Sequence, residues 1–280
     1  MVCPHCGHAD PTRRDFHAFD HHIRDHFGWQ IAFFLIQLVG FQLLGVLISL
    51  PVQMVYAAGH EGITAEELSD FLGQTNVQFA ITATAYLIVF GVFILITGVR
   101  KRLPKFFESF KNYKSYLWGA LGAAVLIGFQ LLYSAIIGVI FEAAGMQSPG
   151  INSNETSIRE MCKAFPALCL IVFGVIGPFT EEVGYRVGLF GLTCRAGKVL
   201  AYVISALVFG FIHFNWNAFG AQEPSVLITE FVNLPAYIIP GVGLAFLYDR
   251  FGFATSFTAH SLNNLFSLIV TIVSPGETNA

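Results

Sequence analysis

Long apolar stretches separated by short polar segments run along the chain after residue 27. A helix needs about 20 apolar residues to cross a bilayer. The seven predicted membrane helices are Trp29–Ala57, Asn76–Val99, Tyr116–Ala144, Ala164–Phe190, Val199–Phe214, Val226–Tyr248 and Phe253–Val273. The fifth of these is shorter than 20 residues. If the sixth is broken at its prolines, the number of helices rises from seven to eight.

Composition also indicates a membrane protein. Of the 280 residues, 55% are hydrophobic and only 12% are charged, whereas about a quarter of the residues in a soluble domain are charged. We therefore predict an all-α, polytopic transmembrane helical bundle over residues 28–275, preceded by a polar tail at residues 1–27. The tail lacks the apolar region of a cleavable signal peptide.

The charges in the loops predict the orientation of the helices. The segment Arg100–Lys114 contains six basic residues and one acidic residue, whereas the preceding loop, Ala58–Thr75, contains four acidic residues and no Lys or Arg. Because basic loops stay in the cytoplasm, we predict that the N-terminus is cytoplasmic. The short segments around Lys198 and Asp249 then lie on the cytoplasmic side as well.

A few ionisable side chains lie within the apolar segments of the second half. Each costs at least about 2.5–3.5 kcal/mol at the centre of a bilayer, so such residues are usually paired or functional. At about 1.5 Å per helical residue, Glu181, His213 and His260 would lie about 12–21 Å below the cytoplasmic surface. A carboxylate and two imidazoles at similar depth, with the amide of Asn264 one turn from His260, could activate water and stabilise an oxyanion.

Structural interpretations of the same residues remain open. Glu182 and Arg186 are separated by four residues and lie on one helix face, so they could be a clamp between helices. A membrane histidine or Asn264 could form an interhelical hydrogen bond. We expect Glu230 to lie near the outer end of its helix, in contact with water.

Three motifs resemble those of the CPBP family of intramembrane proteases, which comprises CAAX prenyl endopeptidases and bacteriocin-processing (Abi) relatives. They occur in the family's order on separate predicted helices within 164–273, and each is weak alone. The motifs are Glu181-Glu182-x-x-x-Arg186, Phe209-x-x-x-His213 and His260-x-x-x-Asn264.

The resemblance implies an intramembrane endopeptidase in which Glu181 activates water and His213, His260 and Asn264 complete the site. Arg186 would orient Glu182 or bind a substrate carboxylate. The implied partners are the bilayer and a membrane-anchored peptide or protein, with no nucleic acid, and the implied location is the inner or plasma membrane. We favour a mechanism that requires no cofactor, because Asn is a poor zinc ligand and no HExxH helix is present. The sequence leaves a catalytic zinc open.

The N-terminal tail has a separate pattern that the family does not require. Cys3-x-x-Cys6 is followed by His17-x-x-x-His21, a spacing that resembles a structural zinc site with two Cys and two His ligands. The alternative ligands are His8, His22 and His26. A His-rich tail without a metal, or half a site completed by another chain, fits the pattern equally well.

Two other functions remain compatible with the sequence. Glu and His side chains within membrane helices also relay protons in coupled transporters. Transporters usually contain two related halves, however, whereas the polar motifs here all lie in the second half. A non-catalytic membrane scaffold or immunity protein could also keep the fold while binding a partner.

Overall fold

The computed structural model describes residues 27–99 and 109–274, which contain helices and no β-strand. The predicted zinc ligands Cys3, Cys6, His17 and His21 and most of the basic loop lie outside these ranges. The zinc site and the division between tail and membrane domain therefore stay predictions. The helices are α1 (Phe27–Ala58), α2 (Ala65–Gly73), α3 (Thr75–Val99), α4 (Tyr113–Ala143), α5 (Ser153–Ala164), α6 (Pro166–Thr193), α7 (Lys198–Phe211), α8 (Pro224–Asn233), α9 (Pro235–Phe251) and α10 (Phe253–Val273).

The predicted polytopic bundle is confirmed. In the described part of the chain, six helical segments are long and apolar enough to cross a membrane: α1, α3, α4, α6, α8 with α9, and α10. The fifth predicted span is α7, which has 14 residues and is about 21 Å long. The sixth predicted span is divided into α8 and α9 at Leu234, because Pro235 has no N–H to continue the helical hydrogen bonds. The dihedral angles of Leu234 remain helical, so the chain continues in the same direction.

Helix α6 occupies the centre of the bundle. About two thirds of its most apolar 18-residue window is buried (67%), compared with 6–33% for the other five spans. Two stretches of α6, Val172–Ile176 and Glu182–Phe190, are wound as π-helix. Such widened turns are rare and often occur at functional sites. The central helix is therefore both the most enclosed span and the one that carries the two adjacent glutamates.

Glycines allow α1 to approach the π-helical part of α6 closely. A Cβ atom added to Gly184 would lie 2.2 Å from Cβ of Gln37, and one added to Gly188 would lie 2.8 Å from the backbone N of Phe34. Small residues at such spacing are typical of closely packed membrane helices. The packing of α1 thus fixes the helix that carries the glutamates.

Replacing Gly188 with alanine should destabilise the bundle by roughly 1–3 kcal/mol, because the added methyl group meets backbone atoms that cannot rotate away. Gly45 in α1, which has no atom within 4 Å of its added Cβ, provides the control. Its alanine variant should be neutral or more stable, since alanine favours helix by up to about 1 kcal/mol.

Thermal unfolding of the two detergent-solubilised variants would measure the difference. Cys162 is buried, and desolvation raises the pKa of its thiol, so its reaction with a maleimide dye reports unfolding. Equal melting temperatures for G188A and G45A would contradict the close packing of α1 on α6.

The two short segments predicted to lie on one side of the membrane meet in the structure. Nζ of Lys198, at the start of α7, lies 3.0 Å from Oδ2 of Asp249, near the end of α9. Both segments therefore lie at the same end of the bundle, as predicted. Which side of the membrane this end faces stays a prediction.

Candidate active site

The two adjacent glutamates of α6 have very different surroundings. Glu182 is fully buried and its carboxylate is engaged on both oxygens. Oε2 accepts a hydrogen bond from the Ser256 hydroxyl and lies 3.4 Å from Nε of Arg186, while Oε1 lies 2.9 Å from Nδ1 of His260. The predicted pairing of Glu182 with Arg186 is confirmed.

Glu181 is held less tightly. Its Oε1 accepts a hydrogen bond of 2.8 Å from the Tyr86 hydroxyl. Its Oε2 lies 3.7 Å from Nε2 of His260, a separation at which a bridging water should be considered. Glu181 therefore retains an oxygen that can act on a small molecule, whereas Glu182 is occupied by protein groups.

The imidazole of His260 spans the two carboxylates, and its tautomer follows from its partners. A carboxylate paired with arginine only accepts hydrogen bonds, so Nδ1 of His260 must donate to Glu182. Nε2 is then left to face Glu181. The same logic applies to His213, whose Nδ1 lies 2.7 Å from the carbonyl oxygen of Phe209, so its Nε2 is also the available nitrogen.

Arg186 is completely buried. Its Nη1 donates to the hydroxyl of Ser205 at 2.7 Å, and its guanidinium carbon lies 4.8 Å from the ring centre of Phe209. Such enclosure suits an arginine that orients Glu182. It does not suit the alternative prediction, in which Arg186 binds the carboxylate of an incoming substrate.

His213 lies close to the others but not on a helix. Helix α7 ends at Phe211, so the prediction of a helical His213 was wrong by two residues. The ring of Phe209 separates the two imidazoles, with its centre 5.1 Å from that of His213 and 5.6 Å from that of His260. His213 is within electrostatic reach of both Glu181 and His260, and the site thus combines α6, α10 and the turn after α7.

A polar network holds the His213 turn in place. Asn152 donates to the carbonyl oxygen of His213 at 3.2 Å. The ring of Tyr237 stacks on His213 with centres 4.5 Å apart, and its hydroxyl donates to Oδ1 of Asn152 at 3.1 Å. His213 is therefore fixed from both its backbone and its ring.

Glu230 completes this network, and the prediction that it contacts water was wrong. It is buried, and its carboxylate accepts hydrogen bonds from the backbone N–H and hydroxyl of Ser153 and from the backbone N–H of Asn215. A buried carboxylate is stable only when such donors surround it. The donors come from α5 and from the loop after α7. The hydropathy pattern does not indicate that these segments contact α8.

Asn264 lies one turn after His260 and contacts α6. Its Nδ2 donates to the carbonyl oxygen of Phe173 at 3.1 Å. The N–H of Gly177 donates to Val172, and the next residue, Pro178, has no N–H to donate to Phe173. Asn264 therefore replaces a hydrogen bond that proline removes, which agrees with the structural interpretation of this residue, and its second amide N–H remains available.

The structure adds site residues that the motifs did not indicate. Tyr86, Ser256 and Ser205 contact Glu181, Glu182 and Arg186 respectively, and Tyr237 stacks on His213. Ser256 could have been found, because it precedes His260 by one helical turn on the same face. Tyr86 lies on α3, a helix that carries none of the three motifs.

No group of three or more His, Cys, Asp or Glu side chains in residues 27–99 and 109–274 is arranged to hold a metal ion. The predicted metal ligands Cys3, Cys6, His17 and His21 lie outside these ranges, so the metal-binding property stays a prediction. A polar cavity of about 230 Å³ lies between α2, α3 and α5, and none of the six predicted site residues lines it. The residues around it are Gly73, Thr75, Gln78, Ser157, Glu160 and Met161.

Comparison with known families supports the motif assignment. Residues 163–266, which include all six predicted site residues, match the family model of type II CAAX prenyl endopeptidase Rce1-like proteins. The predicted family resemblance is confirmed. Tyr86, in α3, lies outside the segment that the Rce1-like model matches.

Three curated bacterial proteins are similar to the chain over part of its length. YvdC of Lactococcus lactis, a UPF0177 protein, is 28% identical over 156 residues, which are 53% of this chain and 52% of that protein. An uncharacterized protein of Mycoplasma capricolum is 27% identical over 199 residues, 67% of this chain and 53% of its own. The "Putative membrane peptidase YdiL" of Bacillus subtilis is 26% identical over 164 residues, which are 56% of this chain and 58% of that protein.

The chain thus spans about half the length of the curated relatives it matches. No solved structure gives a significant match. The six apolar spans and the Rce1-like segment support an integral membrane protein that is similar to membrane peptidases.

Proposed function

We propose that the protein is an intramembrane endopeptidase that hydrolyses a peptide bond of a membrane-anchored substrate, with Glu181 as the base that activates water. The observation that carries this proposal is the contrast between the two glutamates. Glu182 is fully occupied by Arg186, His260 and Ser256, whereas Oε2 of Glu181 faces Nε2 of His260 across 3.7 Å.

In this mechanism a water molecule binds between Oε2 of Glu181 and Nε2 of His260. Glu181 takes one proton from the water as its oxygen adds to the carbonyl carbon of the substrate. The tetrahedral intermediate then breaks its C–N bond, and Glu181 returns the proton to the leaving amine nitrogen. The products are a carboxylic acid and an amine, and no external oxidant or reductant takes part.

The oxyanion of the intermediate needs donors. The amide of Asn264 does not titrate, so its second N–H can always donate. In contrast, Nε2 of His213 and Nε2 of His260 can donate only when the imidazole carries a second proton. Glu182 would stabilise the charged form of His260 through Nδ1. Preorganised donors of this kind are often the largest contribution to hydrolytic catalysis.

We infer that the substrate is a lipid-anchored or transmembrane peptide segment, because the glutamates lie on the most buried of the membrane-spanning helices. A prenylated C-terminal peptide is one chemical class that the Rce1-like resemblance suggests. We place the protein in the inner or plasma membrane with its N-terminus in the cytoplasm, on the basis of the loop charges.

Purified protein in liposomes would test this function against its alternatives. We expect lipidated or transmembrane peptides to be cut at a defined bond, seen by mass spectrometry, without proton flux across the liposome membrane. Proton flux without cleavage would favour the transporter. Neither activity, in a protein that unfolds cooperatively, would favour the non-catalytic scaffold.

A further inference from the structure

We propose that Tyr86 is a positioning residue for the proposed hydrolysis, and that its hydroxyl determines which oxygen of Glu181 activates water. The inference rests on the proposed function. It adds a residue from α3, a helix outside the segment matched by the family model.

The contact is direct. The Tyr86 hydroxyl donates to Oε1 of Glu181 at 2.8 Å, which is a short charge-assisted hydrogen bond. With Oε1 occupied, the second oxygen, Oε2, is the one that faces Nε2 of His260. A carboxylate without this bond could rotate about its last torsion, which is broad for glutamate, and would present either oxygen to the water.

The surroundings hold the Tyr86 ring in one place. Its ring centre lies 4.5 Å from that of Phe41 in α1 and 6.0 Å from that of Phe173 in α6. Gly177, one turn before Glu181, also borders the ring, because an added Cβ at this position would lie 3.4 Å from it, in van der Waals contact. Contacts with α1 and α6 thus direct the Tyr86 hydroxyl, on α3, toward Glu181.

The two oxygens of Glu181 therefore have separate partners on opposite helices, Tyr86 on α3 and His260 on α10. Glu181 is also within electrostatic reach of Tyr185, Arg186 and His213. Unlike these three neighbours, which act on Glu181 through their charge or dipole, Tyr86 donates a hydrogen bond directly to the carboxylate. Removing its hydroxyl should leave the charges around Glu181 unchanged and release only the orientation of the carboxylate.

The test is Tyr86→Phe in the full-length protein in liposomes. A hydrogen bond to a charged group is worth enough to predict about a 10- to 100-fold fall in kcat, with KM for the cleaved peptide within about twofold of wild type. Tyr133→Phe is the control, because the Tyr133 hydroxyl donates to the carbonyl oxygen of Val232 at 2.6 Å. This variant should keep wild-type kcat.

Infrared spectroscopy provides a readout that does not depend on cleavage. The carboxylate stretching band of Glu181, identified by its loss in Glu181→Gln, should shift in Y86F and stay in place in Y133F. If Y86F does not fold, the phenol C–O band of an isotopically labelled Tyr86 in otherwise wild-type protein should shift when Leu, which cannot accept a hydrogen bond, replaces Glu181.

The outcomes separate this inference from the proposed function. A folded Y86F with kcat within twofold of wild type, or with an unmoved Glu181 band, would overturn the role of Tyr86. If wild type cuts no peptide while the band shifts as expected, the hydrogen bond is real and the proposed hydrolysis fails. A phenol band that does not move in Glu181→Leu would refute the contact itself.

Discussion

Replacing Glu181 with glutamine should reduce the rate of peptide cleavage by about 100- to 10,000-fold, because an amide cannot take a proton from water. Glutamine has nearly the same shape and can still accept the hydrogen bond from Tyr86. The fold should therefore survive, and the loss should appear in kcat. Initial rates of cleavage of a lipidated peptide by purified E181Q in liposomes would measure the effect.

The matched control is Glu142→Gln, since Glu142 lies exposed at the end of α4. This variant removes the same charge from the chain and should cleave at the wild-type rate. If E181Q retains wild-type kcat while its melting temperature is unchanged, Glu181 is not the base.

The largest expected effect on stability comes from Arg186→Ala, which should cost about 3–5 kcal/mol. The substitution leaves the completely buried carboxylate of Glu182 without its cation, and an unpaired buried charge is strongly destabilising. It also removes the contacts of the guanidinium with Ser205 and Phe209. Denaturation of the detergent-solubilised variant would measure the loss.

Arg159→Ala is a control with the same spacing. Arg159 pairs with Glu155 at 2.9 Å, but its side chain is 46% exposed, and an exposed pair four residues apart contributes roughly 0.3–0.5 kcal/mol. The double variant Glu182→Gln/Arg186→Met should recover part of the lost stability, because no unpaired charge remains. A loss for R186A as small as that for R159A would mean that water reaches the pair.

Hydropathy predicted the helical bundle well, because lipid forces every backbone polar group to be paired within a helix. The seven predicted segments all correspond to helices. The sequence did not indicate the π-helical turns of α6, the second of which lies where Gly184 and Gly188 pack closely against α1. It also placed the end of α7 three residues too late.

Some of the motif residues meet in the structure, since both Glu181 and Glu182 lie beside His260. Spacing along a helix determines which side chains share a face. That spacing anticipated the ion pair between Glu182 and Arg186. It could not anticipate Tyr86 or Glu230, because their partners are distant in sequence: Tyr86 contacts a helix 95 residues away and Glu230 contacts Ser153, 77 residues away. A single polar residue in an apolar helix gives no periodic signal of its partner.

The most direct test of Glu181-assisted hydrolysis is cleavage in water enriched in oxygen-18. The account predicts that wild-type protein places one labelled oxygen atom in the new carboxyl group of the product, detected by mass spectrometry. E181Q should form labelled product about 100- to 10,000-fold more slowly than wild type, while E142Q matches wild type. Product with the label at the wild-type rate from E181Q, or product without the label from wild type, would contradict it.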